Sequence, residues 1–261
     1  PYCCFLVDVK DPSKGLVDTP LNDLRVRQAL TKAINRDELN RTLLGGKGEI
    51  MSVPHFHPSR PGWNPEWQAR FQDQNGYDLA KAKALLSEAG YSAANPVSTN
   101  LFAQSTGGIA GGETDILEAI AGYWRAAGVN VSLLQMDASA ISNLSRQRTL
   151  NNHFRMRVTG STQYRAMWSF HTYSHGAPNS TYVYNAEMEA LFGQLKSTLD
   201  DQKQAEIYRK MGDASFKNFL EIPLFWLPVE VVVNPQFVDD YVFPGSISGI
   251  WSHLENVKAV R

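Results

Sequence analysis

The chain has 261 residues, and at roughly 150 residues per domain it forms one large domain or two small ones. With 43% hydrophobic and 20% charged residues it has the makeup of an ordinary folded protein, which excludes extended disorder and fibrous architectures. Its 25 Lys and Arg stand against 26 Asp and Glu, so the basic excess that nucleic acid or an anionic membrane surface requires is missing. The most apolar stretch, Leu224 to Val233, is broken by Pro228 and Glu230 and falls well short of the roughly 20 residues of a membrane-spanning helix. The only cysteines, Cys3 and Cys4, are neighbours, and a bridge between them would need a strained ring.

The first strong periodicity follows Thr19 and Asp23, two possible N-caps, where Val26, Ala29, Leu30, Ala33 and Ile34 recur at helical spacing. Asp37 is expected to cap a second, short helix running to Leu44, stopped by Gly45-Gly46. From Ser52 to Tyr77 four prolines, Pro54, Pro58, Pro61 and Pro65, predict an extended surface segment pinned by Trp63 and Trp67 rather than a helix. Asp78 caps a third helix that carries Ala82, Leu85, Leu86 and Ala89 on one face and ends at Gly90.

Beyond it the period changes. Val97, Thr99, Leu101 and Ala103 alternate as a strand, Gly107 to Gly112 form a turn, and Ile116, Leu117, Ile120, Trp124 and Ala127 form a helix closed by Gly128. Val129 to Met136 reads as a second strand, Ala138 to Arg148 as a helix, and His153 to Val158 as a third strand. This alternation predicts βαβ crossovers and an α/β fold whose parallel or mixed sheet is flanked by helices. Glu187 to Leu199 and Gln202 to Leu220 are helical by spacing, Glu221 to Val233 is a strand with Pro223 and Pro228 marking edges or bends, and the tail to Arg261 is irregular.

Four motifs carry a resemblance. Pro20-Leu21-Asn22-Asp23-Leu24-Arg25-Val26-Arg27-Gln28-Ala29-Leu30, followed by Ala33-Ile34-Asn35-Arg36, is the most specific. Tyr77-Asp78-Leu79-Ala80-Lys81-Ala82-Lys83 through Leu85 to Tyr91, Trp124 to Val131, and Glu221-Ile222-Pro223-Leu224 complete the set. In order and spacing they resemble the C-terminal part of the family 5 extracellular solute-binding proteins of ABC importers, the group that binds dipeptides, oligopeptides and nickel. The resemblance implies a type II periplasmic-binding-protein fold of two lobes joined by a hinge, with the solute held between them. Residues 1–235 would then be the C-terminal lobe and 236–261 a tail returning toward the N-terminal one. It also implies a periplasmic, monomeric binding component without chemistry of its own, needing no cofactor, whose partners are a small solute and the permease subunits. Pro1, with no Met and no targeting segment, then reads as the start of a processed chain or of a piece of a longer one.

Candidate site residues were weighed on the same pattern. Arg25, Arg27 and Arg36 could clamp an anion, but their spacing fits surface and inter-helix ion pairs. Gly107 to Gly112, between a strand and a helix N-terminus, is either a flexible turn or a ligand-facing loop. His55 with His57, or His171 with His175, could begin a metal site, yet the further Cys or acidic ligands at metal spacing are missing, and no metal is expected. Neither a nucleophile elbow nor a zincin motif occurs, so the rival class, an α/β hydrolase or transferase, has no motif in its support. The aromatic stretch Tyr164 to Tyr184 is the strongest candidate, because Trp and Tyr faces supply contact area while their polar edges orient a ligand. Trp168, His171 and Tyr173 are the expected ligand contacts, with Tyr164 and Gln104 behind them. In peptide-binding members this region often carries an acidic residue that pairs with the ligand's amino terminus. Trp168 to His175 contains none, which brings an oligosaccharide, a modified peptide or another neutral-to-acidic solute into consideration.

Overall fold

The computed structural model describes residues 2–6, 19–103, 112–147, 152–159, 185–228, 233–242 and 256–260. A mixed six-stranded sheet organises them, in the order β2 (Glu49–Ile50), β6 (Glu221–Trp226), β1 (Tyr2–Leu6), β5 (His153–Thr159), β3 (Ser98–Ala103), β4 (Asn130–Leu134). Only β3, β4 and β5 run parallel, linked through helices α6 (Gly112–Ala126) and α7 (Ala138–Gln147) as the alternating pattern requires. Strand β1 enters antiparallel between β5 and β6, and β6 pairs antiparallel with β2, so half of the sheet is not made of βαβ units. The register of β1 against β6 shifts between Tyr2 and Cys4, opposite the stretch that begins at Pro223. An irregularity of this kind accommodates a residue with no N–H to donate inside an otherwise paired strand.

The helices begin where short polar side chains can bond free backbone N–H groups. Asp23 caps α1 (Leu24–Lys32), Asp78 caps α5 (Leu79–Glu88), Asn185 caps α8 (Ala186–Lys196) and Asp200 caps α9 (Asp201–Asn218). The expected cap of α2 (Arg36–Leu43) is displaced by two residues. Asn35, not Asp37, accepts from the Glu38 N–H at 3.1 Å and donates back to the Glu38 carboxylate at 3.2 Å. Such a reciprocal pair satisfies more than Asp37 could from inside the first turn. Gly90 and Gly128 take positive φ of 90° and 97° at the helix ends they were expected to mark.

Two further expectations fail. The proline-rich segment contains two short helices, α3 (Pro65–Ala69) and α4 (Phe71–Asn75), with Asn64 as cap and Pro65 in the first turn, where the absent N–H costs nothing. Nor is it a surface segment at its start, since Met51 to Phe56 are buried. The anchoring role of Trp67 does hold: it is 2% exposed, its ring meets Phe56 edge-on at 5.0 Å, and its indole N–H donates to Asp213 Oδ1 at 2.7 Å. The tail is not irregular throughout, because β7 (Val238–Tyr241) and β8 (Val257–Ala259) form an antiparallel ribbon.

One main core joins the sheet to α1, α5, α6, α8 and α9. At its centre Trp124 is fully buried, packs edge-on against Phe154 at 4.8 Å, and donates its indole N–H to the Leu30 carbonyl at 2.9 Å. That bond satisfies the one polar atom that burying a Trp would otherwise leave unpaired.

Candidate functional site

In open α/β sheets ligands bind at the carboxyl ends of the strands, where loops diverge and helix N-termini point. Here that edge is defined by register. Tyr2 lies opposite both Thr159, the last residue of β5, and Trp226, the last of β6, and Trp226 in turn lies opposite Glu49, the first of β2. The carboxyl ends of β3, β4, β5 and β6 and the starts of β1 and β2 therefore share one rim, about 24 Å long at about 4.8 Å per strand step.

Of the expected ligand contacts, Gln104 is the residue that follows β3, while Tyr164, Trp168, His171 and Tyr173 belong to the segment that follows β5. All five lie outside the described residues, as do most of Gly107 to Gly112 and the pair His171 and His175. Because β3 and β5 are neighbours in the sheet, both segments depart from adjacent points of the rim.

The described residues contribute a cluster to the same rim. Trp226, half-buried, packs on Met51 apart from the main core. The Arg60 guanidinium lies 5.6 Å from the centre of its ring and the His57 imidazole meets it edge-on at 5.2 Å. His57 holds Ser59 Oγ through Nδ1 at 2.7 Å and approaches Glu49 through Nε2 at 3.6 Å. An aromatic face flanked by a guanidinium and an imidazole can stack and hydrogen-bond a polar solute. This cluster was missed in the sequence because its members are some 165 positions apart; the only signal was a run of His, Arg and Trp among prolines.

The histidine and arginine expectations need correction. His55 and His57 do not begin a shared site: His55 has φ of 73° and its imidazole Nε2 lies 2.9 Å from the Glu221 carboxylate, both side chains being 4% exposed, whereas His57 meets Trp226. His55 faces that carboxylate in the core instead, and no group of three or more potential metal ligands occurs among the described residues. Of the three signature arginines only Arg25 makes the expected surface ion pair, with Asp23 at 2.6 Å.

Arg27 and Arg36 are 6% and 3% exposed and hold backbone carbonyls rather than carboxylates. Arg27 donates to Leu21, Asn22 and Asn218 at 2.8 to 3.1 Å, tying α1 to the end of α9. Arg36 donates to Pro223 at 2.8 Å, Asn75 at 3.1 Å and Thr31 at 3.2 Å, joining β6, α4 and α1. Burial pushes the guanidinium of Arg27 down to about 10 and that of Arg36 down to about 9, so both stay charged at neutral pH. A carbonyl cannot lose its proton-accepting role with pH, which makes these clamps purely architectural. The signature marks the fold, not the ligand.

Comparison with known proteins agrees with this architecture. The family model described as bacterial extracellular solute-binding proteins, family 5 Middle, matches residues 8–181. The periplasmic oligopeptide-binding protein OppA of Salmonella typhimurium is 26% identical over 267 residues, which cover 100% of this chain and 46% of OppA. The chain thus spans about half the length of the curated relatives it matches over most of its length. NikA from Brucella suis, solved with Fe(III)-EDTA, superposes with a TM-score of 0.68 at 18% identity over 87% of this chain and 45% of NikA. DppA from Helicobacter pylori, solved with the peptide STSA, gives 0.66 at 20% identity over 87% of this chain and 41% of DppA. These two show a shared periplasmic-binding-protein fold, and with the family model covering well over half of its residues the chain belongs to the family 5 bacterial extracellular solute-binding proteins.

Proposed function

We propose that this chain is the C-terminal part of the solute-binding component of an ABC importer. In this reading the whole protein captures a peptide or similar small solute between two lobes in the periplasm, works as a monomer, and delivers the solute to permease subunits without chemical change. The observation that carries it is the family match over residues 8–181. The strand order supports it, because the starts of β1 and β2 and the ends of β3 to β6 share one rim, where a second lobe could close on a solute. Gln104 after β3, and Tyr164, Trp168, His171 and Tyr173 after β5, are the proposed contacts.

Residues 236–261 are proposed to return to the other lobe. A two-stranded ribbon is marginal by itself, and this one leaves Phe237 68%, Val242 60% and Val260 47% exposed, which a second lobe would cover. No helix among the described residues is long and apolar enough to cross a membrane.

A thermal-shift screen of the full-length protein against peptides, oligosaccharides, opine-like compounds and divalent metals tests the reading. A solute at 100 times its dissociation constant stabilises the folded state by about 2.7 kcal/mol. Stabilisation by peptides supports the reading as stated. A response to oligosaccharides alone would favour that ligand class, as the lack of an acidic residue in Trp168 to His175 suggests. A folded protein stabilised by no class would refute solute capture as proposed.

A further inference from the structure

The loop of residues 57–64, which carries His57 and Arg60 to the rim, is seated firmly on the lobe. The Arg60 N–H donates to the His57 carbonyl at 2.9 Å and the Trp63 N–H to the Arg60 carbonyl at 3.3 Å. Gly62, at φ of 81°, lies so close to α9 that a Cβ there would come within 2.5 Å of Tyr208 Cβ and 2.9 Å of the Ala205 carbonyl oxygen. The Arg209 side chain donates to the Trp63 carbonyl at 3.2 Å, fixing the loop to the same helix. Side chains on a loop held in this way lose little freedom when a ligand arrives.

Two of these side chains offer donors beside one aromatic ring. His57 Nδ1 accepts the Ser59 backbone N–H at 3.2 Å, so in the neutral imidazole the proton sits on Nε2. The Glu49 carboxylate is 3.6 Å from Nε2, beyond hydrogen-bond reach, and the His57 side chain is 31% exposed, which leaves this N–H open to an incoming acceptor. The Arg60 guanidinium lies over the Trp226 ring, 5.6 Å from its centre. A guanidinium stacked by its face presents its N–H groups in its own plane, the geometry that suits a carboxylate. Trp226 is the common platform, since it carries Arg60 on its face and meets His57 edge-on at 5.2 Å. Glu49 stands beside this group with its side chain 61% exposed, so water screens its charge.

We infer that Arg60 and His57 form a carboxylate subsite on Trp226 and that the captured solute is an acid. This subsite presupposes the solute capture proposed above and names the class of solute. Isothermal titration of the full-length protein tests it with two matched pairs, trialanine against its C-terminal amide and trigalacturonate against its methyl ester. At least one acid is expected to bind about tenfold or more tightly than its neutral counterpart. Arg60→Gln should abolish that preference while leaving the affinity for the neutral counterpart unchanged, which a merely structural role would not do. Glu49→Gln, at an exposed position, removes a like charge and should tighten binding of the acid about twofold; a site for neutral hydroxyl groups would instead lose an acceptor and bind more weakly. Thermal unfolding confirms that both variants fold. Equal affinity for acid and neutral probe, a preference that survives Arg60→Gln, or weaker acid binding in Glu49→Gln overturns the inference. Failure of both acids to bind also overturns it; if another solute class still stabilises the protein, solute capture itself stands, whereas silence of every class removes both.

Discussion

Replacing Arg36 by Met tests whether the buried arginine of the N-terminal motif is a structural clamp. Met keeps the apolar stem of the side chain but ends short of the guanidinium and offers no donor. Four carbonyls, those of Pro223, Asn75, Thr31 and Ile34, lose bonds of 2.8 to 3.4 Å in a place water does not reach, Arg36 being 3% exposed. A charge-assisted bond contributes about 1.5 kcal/mol or more, and a buried acceptor left alone costs about 1–3 kcal/mol. Against this, the variant no longer desolvates a cation, although it also gives up the guanidinium that lies 5.6 Å from the centre of the Phe71 ring. The net expectation is a loss of about 3–5 kcal/mol, seen in urea denaturation as a lower midpoint at unchanged slope. For a domain of this size it corresponds to a melting point about 10 °C lower. Arg36→Lys keeps the charge but presents a compact ammonium that cannot span carbonyls in three elements, so it should fall between. An Arg36→Met variant within about 1 kcal/mol of the parent would refute the clamp.

Other perturbations probe different parts of the same lobe. Gly212→Ala places a Cβ 2.3 Å from Trp67 Cη2 and 2.4 Å from Cζ2, so despite the better helix propensity of Ala it should destabilise by about 1–3 kcal/mol and alter indole fluorescence; a stabilised variant would contradict the packing. Glu221→Ala leaves the buried His55 imidazole without the polar group it faces and is expected to cost about 1–3 kcal/mol, with Glu221→Gln milder because an amide can still meet the ring nitrogen; equal losses would show that the pair is not the relevant contact. Asp23→Ala removes the cap of α1 and should cost about 1 kcal/mol at neutral pH. The hydrogen bond from the Arg25 side chain holds the Asp23 carboxyl below its ordinary 3.8, so this contribution is complete above that pH and is lost as the pH falls through the lower folded value. A parent-to-variant difference that grows on acidification would reverse that sign.

The helices were largely legible because their signals are local. Asp23, Asp78 and the glycines at 90 and 128 act on backbone groups within a turn of themselves, and apolar spacing shows which face is buried. Asn35 outcompeted Asp37 on equally local terms, and only the reciprocal bond with Glu38 distinguished them. The proline-rich segment was misread because a proline at the first turn starts a helix as readily as it ends one, and burial of Met51 to Phe56 depends on what packs over them.

From the amino-acid sequence alone came the α/β class, the family motifs and the order of helices and strands, all of which rest on spacing within a dozen residues. Tertiary structure decided the rest. The placing of β1 between β5 and β6 joins residues more than 150 positions apart, and hydrogen bonds between strands are indifferent to that separation. The roles of Arg27 and Arg36 rest on carbonyls of Asn218 and Pro223, and a carbonyl belongs to every residue and so leaves no trace in side-chain identity. Trp226 meets Arg60 and His57 for the same reason: the backbone register of β2 against β6 brings their segments together, and no pattern in either segment encodes it.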